Sequence, residues 1–317
     1  MYDDQPTSSA ATPLQQADRF SSDTETHLHR EHPYVEEING RPRPVLVHEF
    51  SPRSPLPDAT TLALVPGGSF ASATCYYALA PRLLAARHGG RFLFVDPPGT
   101  GGSGRDVADL DQAAHADLML SALANVADNH RLVLGGHSMG GAYAQVMARR
   151  QMLRPKGQPR IRALLLLDPL PLGGSGLLRT GWKLALSGPS AAGATRRFFR
   201  TSHATADDIA LLERVRSDFS VSLRAALACL RGHGFPDATH PFTGRVLVLG
   251  AADSIAVAQN RLVAMAASAA YTRANYERID GSTAGLAGHC DFLDLPATSA
   301  ACVQFLRKVD EEGASTA

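Results

Sequence analysis

The sequence predicts an α/β protein with a mostly parallel central sheet, helices on both faces and a helical lid inserted late in the chain. Three observations carry this reading. Short apolar runs suited to buried strands alternate with helix-length segments, the pattern of a parallel sheet covered on both sides. The stretch 131–150 reads as a strand, a sharp turn and a helix in immediate succession. The stretch 170–241 breaks the alternation: it offers no buried strand and looks helical and irregular.

In chain order, residues 1–32 are rich in Ser, Thr, Asp, Gln and Ala, with few large apolar side chains, and are expected to be a disordered tail. His27, His29 and His32 cluster there without a cysteine or carboxylate framework, so they read as solvated surface and no metal is expected. Tyr34 to Ile38 and Val45 to Phe50 are β-rich runs flanking Asn39-Gly40, a hairpin signal, with Pro42 and Pro44 expected to delay the second strand or hold it at an edge. Thr61 to Val65 and Phe92 to Val95 are short apolar strands, with a helix at 76–87 between them. A helix at 111–127, a strand at 131–135 and a helix at 139–150 follow. Strands at 163–167, 246–249 and 274–279 and helices at 255–269 and 296–309 complete the set. The expected organisation is a core of 33–169 and 242–310, a lid at 170–241, and disordered tails at 1–32 and 311–317.

A formal net charge of +1 gives no reason to expect nucleic acid or an anionic membrane as partner. Within 170–241, nine Arg or Lys stand against five Asp or Glu, a surplus that could meet an anionic or carrier-bound substrate or simply coat a solvated helix face. Cys75, Cys229, Cys290 and Cys302 are widely spaced and lack zinc-finger companions, so they read as free thiols. No segment offers about 18 continuous apolar residues and no signal-peptide pattern opens the chain, which predicts a cytoplasmic protein.

The chemistry is concentrated in Gly135-Gly136-His137-Ser138-Met139-Gly140-Gly141. Glycines on either side of Ser138 let the backbone pass close to itself in a strained turn, which would present the hydroxyl at a helix N-terminus where developing negative charge is favoured. Serine needs a base, and the base needs a carboxylate to fix its tautomer. His289, in the Gly-rich loop after the last strand, is the first candidate for the base. Asp253, just past the strand at 246–249, is the first candidate for the acid; Asp168, which ends the strand before the lid, is the alternative. His137 reads as a packing residue beneath the turn.

With Ser138, Asp253 and His289 in that order, the chain resembles the α/β-hydrolase superfamily from about Tyr34 to Val309. Gly136 to Gly141 is similar to the nucleophile elbow of many carboxylesterases and monoacylglycerol lipases, and Asp96 to Ser103 to a loop that follows a core strand in many members. The resemblance implies a serine hydrolase working through a Ser-His-Asp triad and an acyl-enzyme, with no cofactor. It also implies an oxyanion hole of the Met139 N–H and a second N–H at Gly68 or Ser69, in a loop that here begins Pro66-Gly67 where members often have His-Gly. Phe70 with Ser69, and Trp182 in the lid, are candidate substrate contacts. The expected substrate is a small-molecule ester with an apolar portion; thioester hydrolysis, acyl transfer, C–C bond cleavage and a non-catalytic binding role are the alternatives.

Overall fold

The structure is a computed structural model. It describes residues 27–56, 59–67, 79–80, 83, 89–104, 106–107, 109–127, 132–153, 160–170, 236–252, 254, 257–282, 288–289 and 292–315.

Eight strands form one sheet: β1 (His27–Ile38), β2 (Arg41–Pro52), β3 (Thr61–Val65), β4 (Phe92–Val95), β5 (Leu132–His137), β6 (Ile161–Leu167), β7 (Phe242–Ala251) and β8 (Tyr271–Ile279). Their spatial order is β1-β2-β4-β3-β5-β6-β7-β8. The first two pairings are antiparallel and the rest are parallel. The helices α1 (Gln112–Ala124), α2 (Met139–Leu153), α3 (Gln259–Ala266) and α4 (Pro296–Ser315) connect or follow the parallel strands.

The central strands are apolar on both sides because both faces are covered. On one face Ala63, Val65, Leu134, Leu164 and Val248 pack with α1, α2 and Leu262 of α3. On the other, Leu62, Leu64, Phe94, Leu165 and Leu249 pack with Leu79, Leu83 and the apolar stripe of α4, including Cys302. Burial pushes the Cys302 thiol up to about 12, which makes it a packing residue rather than a nucleophile. Asp111 caps α1 by accepting the Ala114 N–H at 2.7 Å. Asp310 on α4 accepts the Thr60 N–H at 3.1 Å, tying the last helix to the start of β3.

The strand positions agree with the alternation in the sequence, and the differences lie at the ends. The tail expected over 1–32 gives way to strand at His27, because β1 pairs with β2 along its whole length, from Ile38 opposite Arg41 to His27 opposite Pro52. Pairing supplies the hydrogen bonds that the polar composition could not announce. Likewise α4 runs on to Ser315 through part of the expected C-terminal tail. Pro42 and Pro44 do not delay β2, which starts at Arg41. Both lie where β2 has β1 as its only strand neighbour, since β4 joins it only from Val47 to Phe50, and there a missing N–H costs least. The expected lid lies between β6 and β7; its residues 171–235, Trp182 among them, lie outside the described residues.

The loop after β4 is pinned by its polar residues. Asp96 accepts the Gly102 N–H at 2.7 Å, the Ser103 hydroxyl donates to the Asp96 carbonyl at 2.7 Å, and Ser103 Oγ accepts the Leu46 N–H at 3.0 Å. The Asp-x-Pro-Gly-x-Gly-x-Ser sequence therefore stitches β4 to β2.

Leu164 sits on β6, fully buried at the centre of the sheet between β5 and β7. Leu164→Ala should lower unfolding free energy by about 2–5 kcal/mol in urea denaturation; a change under about 1 kcal/mol would mean the core is not packed there as described.

Candidate active site

The site is built where β5, β6 and β7 end. Ser138 follows β5 directly, opens the turn into α2, and has φ of +55°, a left-handed conformation that a serine adopts only under constraint. The constraint is visible. A Cβ on Gly136 would overlap the Gly140 carbonyl, and one on Gly140 would overlap the Val65 carbonyl of β3. These two glycines let the turn close upon itself and let α2 start against β3. Met139 is the first residue of α2, so its N–H belongs to the first turn of the helix, where donors lack intrahelical partners.

Two backbone hydrogen bonds hold the elbow to the end of β6. The Ser138 N–H donates to Leu167 O at 3.1 Å, and the Leu170 N–H donates to Ser138 O at 3.0 Å. Between those anchors stands Asp168, fully buried, with φ of +40° and its own N–H donating to Leu249 O of β7 at 2.7 Å. Among the described residues, left-handed non-glycine backbone occurs at Asn39, Ser138 and Asp168. Asn39 belongs to the Asn-Gly hairpin turn, which requires it. The other two are strained positions, costing about 1–3 kcal/mol each, and strain of this kind clusters at functional sites.

His289 completes the cluster. Its Nδ1–H donates to Asp168 Oδ2 at 2.5 Å, with both side chains buried, while Ser254 Oγ after β7 stands 3.4 Å from the same nitrogen. An imidazole has one proton at Nδ1, and the short contact assigns it to Asp168. That orientation leaves Nε2 as the acceptor nitrogen, buried and without a hydrogen-bond partner among the described residues. From below, the His137 Nε2–H donates to the His289 carbonyl at 2.8 Å, and the two rings lie 4.6 Å apart. Burial, and after it repulsion from His289, holds the His137 imidazole well below its ordinary pKa, so it stays neutral. His137 therefore packs beneath the elbow, as its sequence position suggests, and it also holds the backbone of the histidine that pairs with Asp168.

Of the residues singled out in the sequence, Ser138, Met139, His289 and the alternative acid Asp168 fall in this region. Asp253, Gly68, Ser69, Phe70 and Trp182 lie outside the described residues. The preference for Asp253 over Asp168 meets a different geometry: the His289 Nδ1 position is occupied by Asp168. The signal that could have raised Asp168 is its place in Leu167-Asp168-Pro169, immediately after the apolar, fully buried run Ala163 to Leu167, where a carboxylate must be buried.

The sequence profile of the alpha/beta hydrolase family matches residues 62–301, and the chain belongs to this family. No curated protein sequence matches the chain. Solved structures with the same fold include a hydrolase from Pseudomonas aeruginosa PA01 (TM-score 0.60, 16% identity, covering 87% of this chain and 98% of that one). They also include Rv0554 from Mycobacterium tuberculosis (TM-score 0.63, 18% identity, 88% and 99%). A hyperthermophilic esterase from the archaeon Pyrobaculum calidifontis is a third (TM-score 0.55, 20% identity, 90% and 86%).

Gly140→Ala should destabilise the protein by about 3 kcal/mol or more in chemical denaturation, because the obstructing atoms are backbone and cannot step aside. A stability equal to wild type would contradict the close passage of α2 past β3.

Proposed function

We propose that the protein is a serine hydrolase that cleaves a carboxylic ester with an apolar portion, using Ser138 as nucleophile, His289 as base and Asp168 as the orienting acid. The observation that carries the reading is the buried 2.5 Å contact between His289 Nδ1 and Asp168 Oδ2 beside a left-handed serine at a strand-to-helix turn. A family of hydrolases is the setting; the ester substrate and the roles of these residues are the proposal.

In this mechanism His289 Nε2 takes the Ser138 proton as Oγ attacks the substrate carbonyl. Asp168 stays ionised, holds the Nδ1–H tautomer and stabilises the imidazolium that forms. The tetrahedral oxyanion receives the Met139 N–H at the start of α2, with Gly68 or Ser69 as second donor. His289 then protonates the leaving alcohol, and a water activated by the same nitrogen cleaves the acyl-enzyme, returning the proton to Ser138. Every proton passes through one nitrogen. No metal or organic cofactor takes part in these steps.

The reading makes a three-way prediction for the turnover of p-nitrophenyl esters of short and medium acyl chains. Ser138→Ala should lose about 10⁶-fold in kcat. Asp168→Asn should lose about 10⁴-fold with the fold intact, since an amide favours the wrong tautomer. Asp253→Asn should stay within about 10-fold of wild type. The opposite order for the two aspartates would return the acid to Asp253, and unchanged turnover in Ser138→Ala would remove serine catalysis altogether.

A further inference from the structure

We propose that the β1–β2 hairpin carries a site for a divalent transition-metal ion of the zinc type, with His29 Nε2, His48 Nδ1 and Glu31 Oε1 as protein ligands and water completing the shell. The strand register brings these residues together. Glu31 stands directly opposite His48, and His29 opposite Phe50, so the three side chains share one face of the antiparallel ladder. Their ligand atoms all lie within 4.8 Å of one another.

The spacing suits a metal better than it suits hydrogen bonding. His29 Nε2 is 3.3 Å from His48 Nδ1, and His48 Nδ1 is 3.5 Å from Glu31 Oε1. Good N–H···O bonds run from about 2.7 to 3.2 Å. A tetrahedral ion with bonds of about 2.0–2.1 Å holds its ligand atoms about 3.3–3.4 Å apart. Two edges of such a tetrahedron are thus already in place.

The surroundings orient the ligands. On the far side of the His48 ring, Nε2 is 3.4 Å from Asp96 Oδ2, a buried carboxylate that the Gly102 N–H fixes at 2.7 Å. A carboxylate behind a histidine in this way fixes the tautomer and orientation of the ring as a metal ligand. The His29 ring is stacked on Phe50 with centroids 4.5 Å apart and planes 10° apart, and Phe50 meets Phe94 edge-on. Two imidazoles and one carboxylate match the donor set of zinc and are too poor in oxygen for calcium or magnesium.

β1 is the outermost strand, and β4 stands two places from β5 in the sheet. An ion here would clamp the edge strand to β2 and, through Asp96, to the end of β4. The site is independent of the hydrolytic reading. Its rival is an imidazolium at His48 held between Glu31 and Asp96, a charge pairing that needs no metal.

The test starts with full-length protein stripped by a chelator and dialysed against Zn²⁺, with bound metal measured by elemental analysis. One equivalent should bind and raise the melting temperature, and Co²⁺ should give the intense visible bands of a tetrahedral ion. His29→Ala and Glu31→Gln should each lose the tight site, and Asp96→Asn should weaken it about 10–100-fold. His32→Ala should keep it, because that side chain pairs with Glu49 on the opposite face of the hairpin. Absence of stoichiometric binding to folded wild type, or binding untouched by His29→Ala and Glu31→Gln, would overturn the proposal. Should a variant not fold, an octahedral Co²⁺ spectrum in the wild type would overturn it as well.

Discussion

The site depends on two backbone hydrogen bonds that join the turn after β5 to the chain leaving β6: Ser138 N–H to Leu167 O, and Leu170 N–H to Ser138 O. A strand-to-helix turn by itself would present a serine. Bolting that turn to its neighbour brings a buried aspartate beside it, and forces Asp168 into a left-handed backbone in doing so. The cost is modest against the burial of a two-faced core, and it falls at the two positions whose geometry the proposed chemistry would use. Asp168, shielded from water, can serve only by holding a hydrogen-bond donor, and His289 supplies it at 2.5 Å.

The supports of this arrangement come from several levels of the structure. Glycines at 136 and 140 admit the close approach of α2 to β3. Leu249 O of β7 anchors the Asp168 N–H, so three adjacent strands fix one carboxylate. His137, buried and neutral, carries the His289 backbone on its Nε2–H. Rigid strands on one side and a short hydrogen bond on the other leave the imidazole little freedom, as the proposed role of a base would require.

How much of this was legible in the sequence follows from what each feature depends on. The central strands and their helices were readable because β3 to β7 each carry a local apolar run and each face is covered. Ser138 and His289 stood out as candidates because a Gly-flanked serine and a lone histidine after the last strand are local signals. The acid was not. Asp168 and Asp253 both follow apolar strands, and which one meets the histidine depends on where the loop carrying His289 crosses the strand ends, a fact of tertiary structure. The reach of β1 to His27 was hidden for a similar reason, since its polar residues are ordered by pairing with β2. The same register assembles His29, Glu31 and His48, residues whose isolated positions in the sequence gave no metal-binding spacing.

The most direct test of the central claim is labelling of the native protein by a fluorophosphonate probe, with the modified peptide located by mass spectrometry. The account predicts rapid, stoichiometric modification of Ser138, because a serine activated by the His289–Asp168 pair attacks phosphorus as it would a carbonyl. A folded protein whose Ser138 stays unlabelled, or whose label falls on another residue, would contradict it.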